Sequence, residues 1–186
     1  MMEKHMNQGV INRQIERPAP ALIERFKEYP SAVVYDALGG RGAMYHGIKP
    51  IKAGLRCAGP ACTVQSTPGD ALYVSVACDV AGPGDVVVVD NGRFHEGNAI
   101  GDGMAKYFHQ RTRIAGFVCD GGIRDVEGII RVGLPTWGTA VSVKHIGSNA
   151  LGAVNIPIVC GGQVVNPGDI IIADDDAEVV VPLEQA

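Results

Sequence analysis

The chain has 186 residues and a formal net charge of -4, with 16 Lys and Arg against 20 Asp and Glu. That length suits one domain with a full core, and 46% hydrophobic with 19% charged residues is a globular composition. The acidic balance offers no basic field for nucleic acid. No apolar run reaches the ~20 residues of a membrane span, and the polar start MMEKHMNQGV carries no signal-peptide core. These features predict a cytoplasmic protein with neither a nucleic-acid nor a membrane partner.

Residues 1–20 read as an N-terminal arm, polar and unpatterned up to residue 17, ahead of a single layered α/β domain over 21–186. Pro18 and Pro20 lead into a helix over 21–28. Ser31 is placed to cap a second helix, which Gly39-Gly40 ends. GPACTVQ, ending at Gln65, reads as a strand from its β-branched content. Residues 70–79 read as a helix, with Leu72, Val76 and Val80 on one face. AGPGDVVVVDN follows as a turn and a strand of four valines, apolar at every position and therefore covered on both faces.

The phrase recurs as VNPGDIIIADDD near the end, which suggests two similar hairpin entries. Asp174, Asp175 and Asp176 lack EF-hand spacing and read as a solvated turn. A helix over 98–113 follows the valine strand, with Ile100, Met104 and Tyr107 or Phe108 sharing a face. Gly101 and Gly103 are cheap only at its start, where they suggest a close approach to the backbone. Strands are predicted at 140–146, 157–160, 163–165 and 178–182.

Between them lies the most informative stretch, IAGFVCDGGIRDVEGIIRVGLPTW. A short apolar strand ends at Asp120. Gly121-Gly122 then permit a tight turn, Arg124-Asp125 follow, and Val126, Ile129, Ile130 and Val132 recur at helical spacing until Gly133. A strand, a glycine turn and a helix start leave backbone N–H groups free for an anion. Arg124-Asp125 reads equally well as an exposed ion pair. Taken with the glycine-rich start at Gly101, Asp102, Gly103 and Met104, the stretch supports a site. Its backbone would bind a carboxylate, Arg124 would grip a second oxygen pair, and Asp125 would anchor a hard divalent ion, Mg²⁺ or Mn²⁺. An ion chelated by the carboxylate and keto oxygens of a 2-oxo acid stabilises the enolate left by carbon–carbon cleavage.

Three other features compete. The five cysteines form no CxxC pair and read as small core residues, with Cys119 a formal nucleophile lacking a nearby base. His95-Glu96 reads as solvated. Lys144 is either a Schiff-base lysine, a solvent-facing strand residue, or a contact to the distal end of a substrate.

The phrases PSAVVYDALGG, GPACTVQSTPGDALYVSVACDVAGPGDVVVVD, IGDGMA, VCDGGIRDVEG, VGLPTW and NIPIVCGGQVVNPGDIIIADDDAEVVVP resemble the regulator of ribonuclease E activity A-like (RraA-like) family. That family includes the 4-hydroxy-4-methyl-2-oxoglutarate/4-carboxy-4-hydroxy-2-oxoadipate aldolases. The resemblance implies a swivelling β/β/α domain assembled as a homotrimer or homohexamer. It implies a small-molecule 2-oxo acid substrate, with oxaloacetate decarboxylation as a side activity, or else a non-catalytic regulator of a ribonuclease. Arg124 and Asp102 carry over as catalytic, Gly101 to Met104 with Arg124 as substrate-binding, and Asp125 as the metal ligand. The chain departs from the family pattern at two positions. The position twenty-one before Arg124 is Gly103, with the acid one residue off at Asp102. The position three after Asp125 is Gly128, with an acid beside it at Glu127.

Overall fold

A computed structural model describes residues 9–186, so residues 1–8 of the expected arm lie outside the described residues. The order of elements is β1 (Val10–Ile11), α1 (Pro20–Phe26), α2 (Ser31–Ala37), β2 (Lys49–Pro50), β3 (Cys57–Gln65), α3 (Leu72–Ala77), β4 (Val86–Asp90) and α4 (Asp102–Tyr107). A π-helical turn over Phe108–Thr112 continues α4. Then come β5 (Gly116–Cys119), β6 (Gly122–Ile123), α5 (Val126–Val132), β7 (Thr136–Gly138), β8 (Ala140–Val141) and β9 (Ala153–Val154). The chain closes with β10 (Ile158–Cys160), β11 (Gln163–Val165), β12 (Ile170–Ala173) and β13 (Glu178–Val181).

The valine strand β4 lies at the centre, parallel to β3 on one side and β5 on the other. Because side chains alternate across a strand, Val87 and Val89 enter one core layer with Phe117, Cys119 and residues of α3, α4 and α5. Val86 and Val88 enter a second layer with Trp137, Ile158, Cys160 and Ile171. Helices thus cover one face and the β10–β11 hairpin with β12–β13 the other, the β/β/α layering expected for an α/β domain. A third apolar layer packs α1 and α2 against Ile170, Ile172, Val179 and Val181.

The repeated Pro-Gly-Asp phrase is a repeated turn. Asp85 N–H donates to Gly82 O and Asp169 N–H to Asn166 O, while Gly84 and Gly168 sit at φ 84° and 91°. Proline second and a left-handed glycine third make these type II turns. In each, the aspartate carboxylate accepts the first residue's N–H, from Gly82 at 2.7 Å and from Asn166 at 2.7 Å. Thr67-Pro68-Gly69-Asp70 is a third copy of the turn, with Gly69 at φ 78°. Only β12 enters a hairpin. β4 runs parallel to its neighbours, so the expectation of two hairpin entries is corrected.

Four further expectations change. Val10–Ile11 pair in parallel with Ala153–Val154, and Asn12 and Asn155 exchange side-chain-to-backbone hydrogen bonds of 2.9 and 2.8 Å, so the described part of the arm belongs to the sheet. Ser31 is the first helical residue rather than the cap, because Pro30 takes the cap position. Both the N–H and the hydroxyl of Ser31 donate to Asp174. Asp174 is therefore buried rather than part of a solvated turn, and its backbone carbonyl also receives the Trp137 indole N–H at 2.9 Å. Burial pushes its carboxyl up, but the hydrogen bonds from Ser31, Asp176 and Ala177 outweigh that and hold it below the usual range. Of the strand predicted over 140–146, only Ala140–Val141 pair, and Val143 beyond them is exposed.

Arg17 makes two hydrogen bonds to Asp85, of 3.0 and 2.8 Å; its side chain is 35% exposed and that of Asp85 0%. Removing one partner of a buried pair strands the other charge. Arg17→Ala is expected to cost about 3 kcal/mol in urea unfolding, the low end for such a loss because water can reach part of the site. Arg17→Ala/Asp85→Asn should recover part of that loss.

Glu178 is buried, and burial raises its carboxyl from 4.5 to about 8, with Asp174 adding to the shift and Lys49 opposing it. The folded chain then keeps a proton that the unfolded chain releases, so stability falls as pH rises from about 4.5 to about 8 and levels off above. Urea midpoints at pH 5, 7 and 9 should show that slope, and Glu178→Gln should flatten it.

Candidate functional site

Three parallel strands end together at Gln65, Asp90 and Cys119, and ligands of open α/β sheets gather beyond such ends. Here the chain after β5 pairs with the segment that leads into α4. Ala99 N–H donates to Gly122 O and Arg124 N–H to Ile100 O, so residues 99–101 run beside 122–124. That pairing explains why the helix predicted from residue 98 starts only at Asp102. Gly101 is extended, at φ -130° and ψ -178°, and serves as the cap residue. The first-turn N–H groups of Asp102, Gly103 and Met104 donate to no backbone carbonyl. Phe108, fully buried, and Met104 face the core, while Tyr107 turns outward.

The pairing brings the sequence-predicted residues together. A Cβ on Gly101 would lie 2.6 Å from Asp125 Oδ2 and 3.2 Å from Arg124 Nε, so both side chains lean over that glycine. Arg124 Nε lies 3.3 Å from Asp125 Oδ2. The pair is not aligned as a hydrogen bond, and that buried N–H has no partner. The two side chains are 38% and 43% exposed, open enough for a ligand to reach. Asp102 lies over Gly128, whose added Cβ would sit 2.7 Å from Asp102 Oδ2. Around Gly103 the space is open. Glu127 is exposed in the first turn of α5.

Asp125 is one of four non-glycine residues with a left-handed φ among the described residues, with Arg93, Arg113 and Asn155. It occupies the N-cap position of α5, where an aspartate ordinarily accepts a first-turn N–H, yet it makes no cap hydrogen bond and holds φ 56°, ψ 39°. A left-handed conformation at a residue other than glycine is strained. Its side chain is thereby turned away from its own helix and toward Gly101 and Arg124.

The competing features separate from this cluster. Lys144 and Glu96 form an exposed ion pair with each other. A Schiff-base lysine needs desolvation or a neighbouring cation, and Lys144 has a carboxylate instead. Cys119 is buried, and burial with the nearby Asp120 holds its thiol far up, so it is a core residue and no nucleophile. The cysteines are free, as expected.

Sequence reasoning missed two residues just beyond the ends of β4 and β5. Asp120, 3% exposed, accepts the Asn91 N–H at 2.8 Å, and burial raises its carboxyl despite that bond. Asn91 is enclosed against Gly121, with neither side-chain polar atom paired. Asp-Gly and Asp-Asn dipeptides read only as turn signals in sequence.

Residues 31–181 match the family pattern described as RraA-like, Aldolase/RraA. A candidate 4-hydroxy-4-methyl-2-oxoglutarate aldolase of Halalkalibacterium halodurans is 37% identical over 166 residues, covering 88% of this chain and 77% of that protein. Streptomyces coelicolor RraAS2, described as an unusual member of the RNase ES inhibitor RraA protein family, has a crystal structure that covers 92% of this chain and 89% of its own. It matches with a TM-score of 0.79 at 33% identity. The RNA-processing inhibitor RraA from Thermus thermophilis matches with a TM-score of 0.75 at 25% identity over 83% of this chain and 93% of that one.

An aspartate that served its helix would cost about 1 kcal/mol to remove. Because Asp125 makes no cap and strains the backbone, Asp125→Gly is expected to unfold in urea at the wild-type midpoint or above it. A drop of about 1 kcal/mol or more would show instead that Asp125 supports the helix.

Proposed function

This chain belongs to the RraA-like family, and we propose that it is a divalent-metal-dependent pyruvate aldolase. The substrate class is a 4-hydroxy-2-oxo diacid of the 4-hydroxy-4-methyl-2-oxoglutarate or 4-carboxy-4-hydroxy-2-oxoadipate type, cleaved to pyruvate and a second 2-oxo acid. Oxaloacetate decarboxylation, which passes through the same pyruvate enolate, is the side activity. Assembly as a homotrimer or homohexamer belongs to the same proposal.

The observation that carries the reading is Asp125, withheld from its helix and aimed over Gly101 beside an Arg124 N–H that lacks a partner. Natural sequences accept local strain of this kind where a site needs it. The donor set fits a hard ion. Asp125 and Asp102 offer carboxylates alone, and no group of three or more His, Cys, Asp and Glu gathers among the described residues. Mg²⁺ or Mn²⁺, which keeps most of its waters and takes one or two protein carboxylates, suits that set better than zinc. When bound, such an ion draws charge from the keto carbon and so eases formation of the enolate.

The remaining work falls to side chains and backbone. The N–H groups at the start of α4 and the Arg124 guanidinium bind and orient the 2-oxo carboxylate end. The Asp102 carboxylate takes the proton of the 4-hydroxyl, directly or through one water, as the bond between carbons 3 and 4 breaks. The electron pair of that bond becomes the enolate of pyruvate, whose charge Arg124 stabilises, and carbon 3 is then protonated. The second 2-oxo acid leaves with its new carbonyl at the former carbon 4.

A non-catalytic regulator, as the names of the Streptomyces and Thermus relatives suggest for those proteins, would have no use for an aspartate turned away from its own helix toward Gly101. A coupled pyruvate assay with and without EDTA separates the readings. Pyruvate release that EDTA abolishes and Mg²⁺ or Mn²⁺ restores is expected, and release that survives full chelation would sink the metal-dependent reading. Arg124→Ala should lower kcat/KM by at least about 10²-fold, the scale of losing one oxyanion donor. Gly101→Ala should also lower it, because the new methyl displaces the Asp125 carboxylate.

A further inference from the structure

The end of the sheet opposite the candidate site holds a second cavity. β3 and β5 both run parallel to β4, so Cys57 and Ala115 lie where these strands begin, whereas Arg124 lies past the end of β5. The first half of β3 pairs with β12, with Ala58 opposite Ile172, and α1 packs against β3 at this corner. Between them is a cavity of about 370 Å³, within the range of about 300–1,000 Å³ usual for small-molecule sites.

Its walls are largely apolar, made by Phe26 at the end of α1, Ala58 of β3, Ile172 of β12 and Ala115 just ahead of β5. Two cations stand among them, Lys27 and Arg56, and they are not equivalent. Lys27 is already paired with Glu24 at 2.6 Å. Arg56 Nη2 donates to Tyr29 O at 3.0 Å and to Lys27 O at 3.5 Å, two carbonyls just past the end of α1. Among the described residues Arg56 has no carboxylate partner. Its contacts use Nη2 alone, which leaves the Nε and Nη1 N–H groups of the fork open. The guanidinium is therefore anchored at the cavity but not neutralised.

We propose that this cavity binds a small amphiphilic carboxylate, with Arg56 gripping the carboxylate and Phe26, Ala58, Ala115 and Ile172 enclosing an apolar body. A planar guanidinium fork matches a carboxylate through two parallel hydrogen bonds, and a single unpaired cation suits a single negative charge. The site is separate from the aldolase site proposed above and stands whether or not that reading holds. A 2-oxo diacid is not its ligand, because one of that molecule's two charges would be set against apolar walls without a partner.

The test is titration of octanoate into the full chain, followed by isothermal calorimetry, with circular dichroism to check that each variant is folded. Saturable binding of octanoate is expected. Acetate keeps the charge without the apolar body, and octylammonium keeps the body and reverses the charge. Each should bind more weakly than octanoate by about 10-fold or more, and Arg56→Gln should raise the octanoate Kd by the same factor, the scale of a hydrogen bond to a charged group. Arg124→Ala should leave octanoate affinity unchanged. The proposal is overturned if wild type binds no octanoate, if acetate or octylammonium binds as tightly, or if Arg56→Gln binds octanoate like wild type. Loss of octanoate binding in Arg124→Ala also overturns it, because the ligand would then sit at the aldolase site. Should Arg56→Gln fail to fold, the comparison of the three ligands on wild type, together with Arg124→Ala, still decides.

Discussion

The close approach of two helix starts is the constraint on which the rest of the candidate site depends. Gly101 and Gly128 are where α4 and α5 receive each other's aspartates. Any side chain at either glycine would push the carboxylate off and part the helices. The backbone enforces the same closeness independently, since residues 99–101 hydrogen-bond to 122–124 ahead of both helices. Two short helices that could not hold a position alone are thus fixed by a strand-like pairing beneath them. The helix dipoles add little at this length, and the side-chain geometry is what makes the site.

That pairing depends in turn on the sheet. β4 is buried on both faces and carries the register of β3 and β5, so the ends of these strands deliver Asp90, Asp120 and the glycines that follow to one edge. The Pro-Gly-Asp turns set where β4 and β12 begin, and their buried aspartates act as anchors. Asp85 takes Arg17, and Asp169 takes the Leu183 N–H at 3.0 Å. The first described residues and the last are therefore tied to the same kind of turn, on strands that both flank β3.

Much of this was legible in the sequence, for a physical reason. The four valines of β4 and the apolar run of β12 are long enough to announce themselves, and Gly39, Gly84, Gly133 and Gly168 mark their turns because their left-handed φ is costly for other residues. The elements that escaped are pairs of residues. β1, β2, β6 and β9 are too short to show any period, and each exists because a neighbour offers an edge. The π-helical turn after α4 was also invisible, since Phe108 is buried whether the helix there is regular or widened. At the site, Arg124, Asp125 and Gly101 could be named from sequence, but Gly128 read as a departure. Only the packing of α4 on α5 shows what occupies its place.

Asp125 carries one more step. An aspartate before an apolar helical run is the strongest N-cap signal a sequence can give, and here the structure denies it the cap. That conflict falls beside Arg124, whose buried Nε–H has no hydrogen-bond partner. An aspartate serving its helix would accept a first-turn N–H, and Asp125 accepts none. The left-handed cap instead turns the carboxylate toward Gly101 and Arg124, 3.3 Å from the Arg124 Nε. The proposed metal site would give that carboxylate a use that its own helix does not.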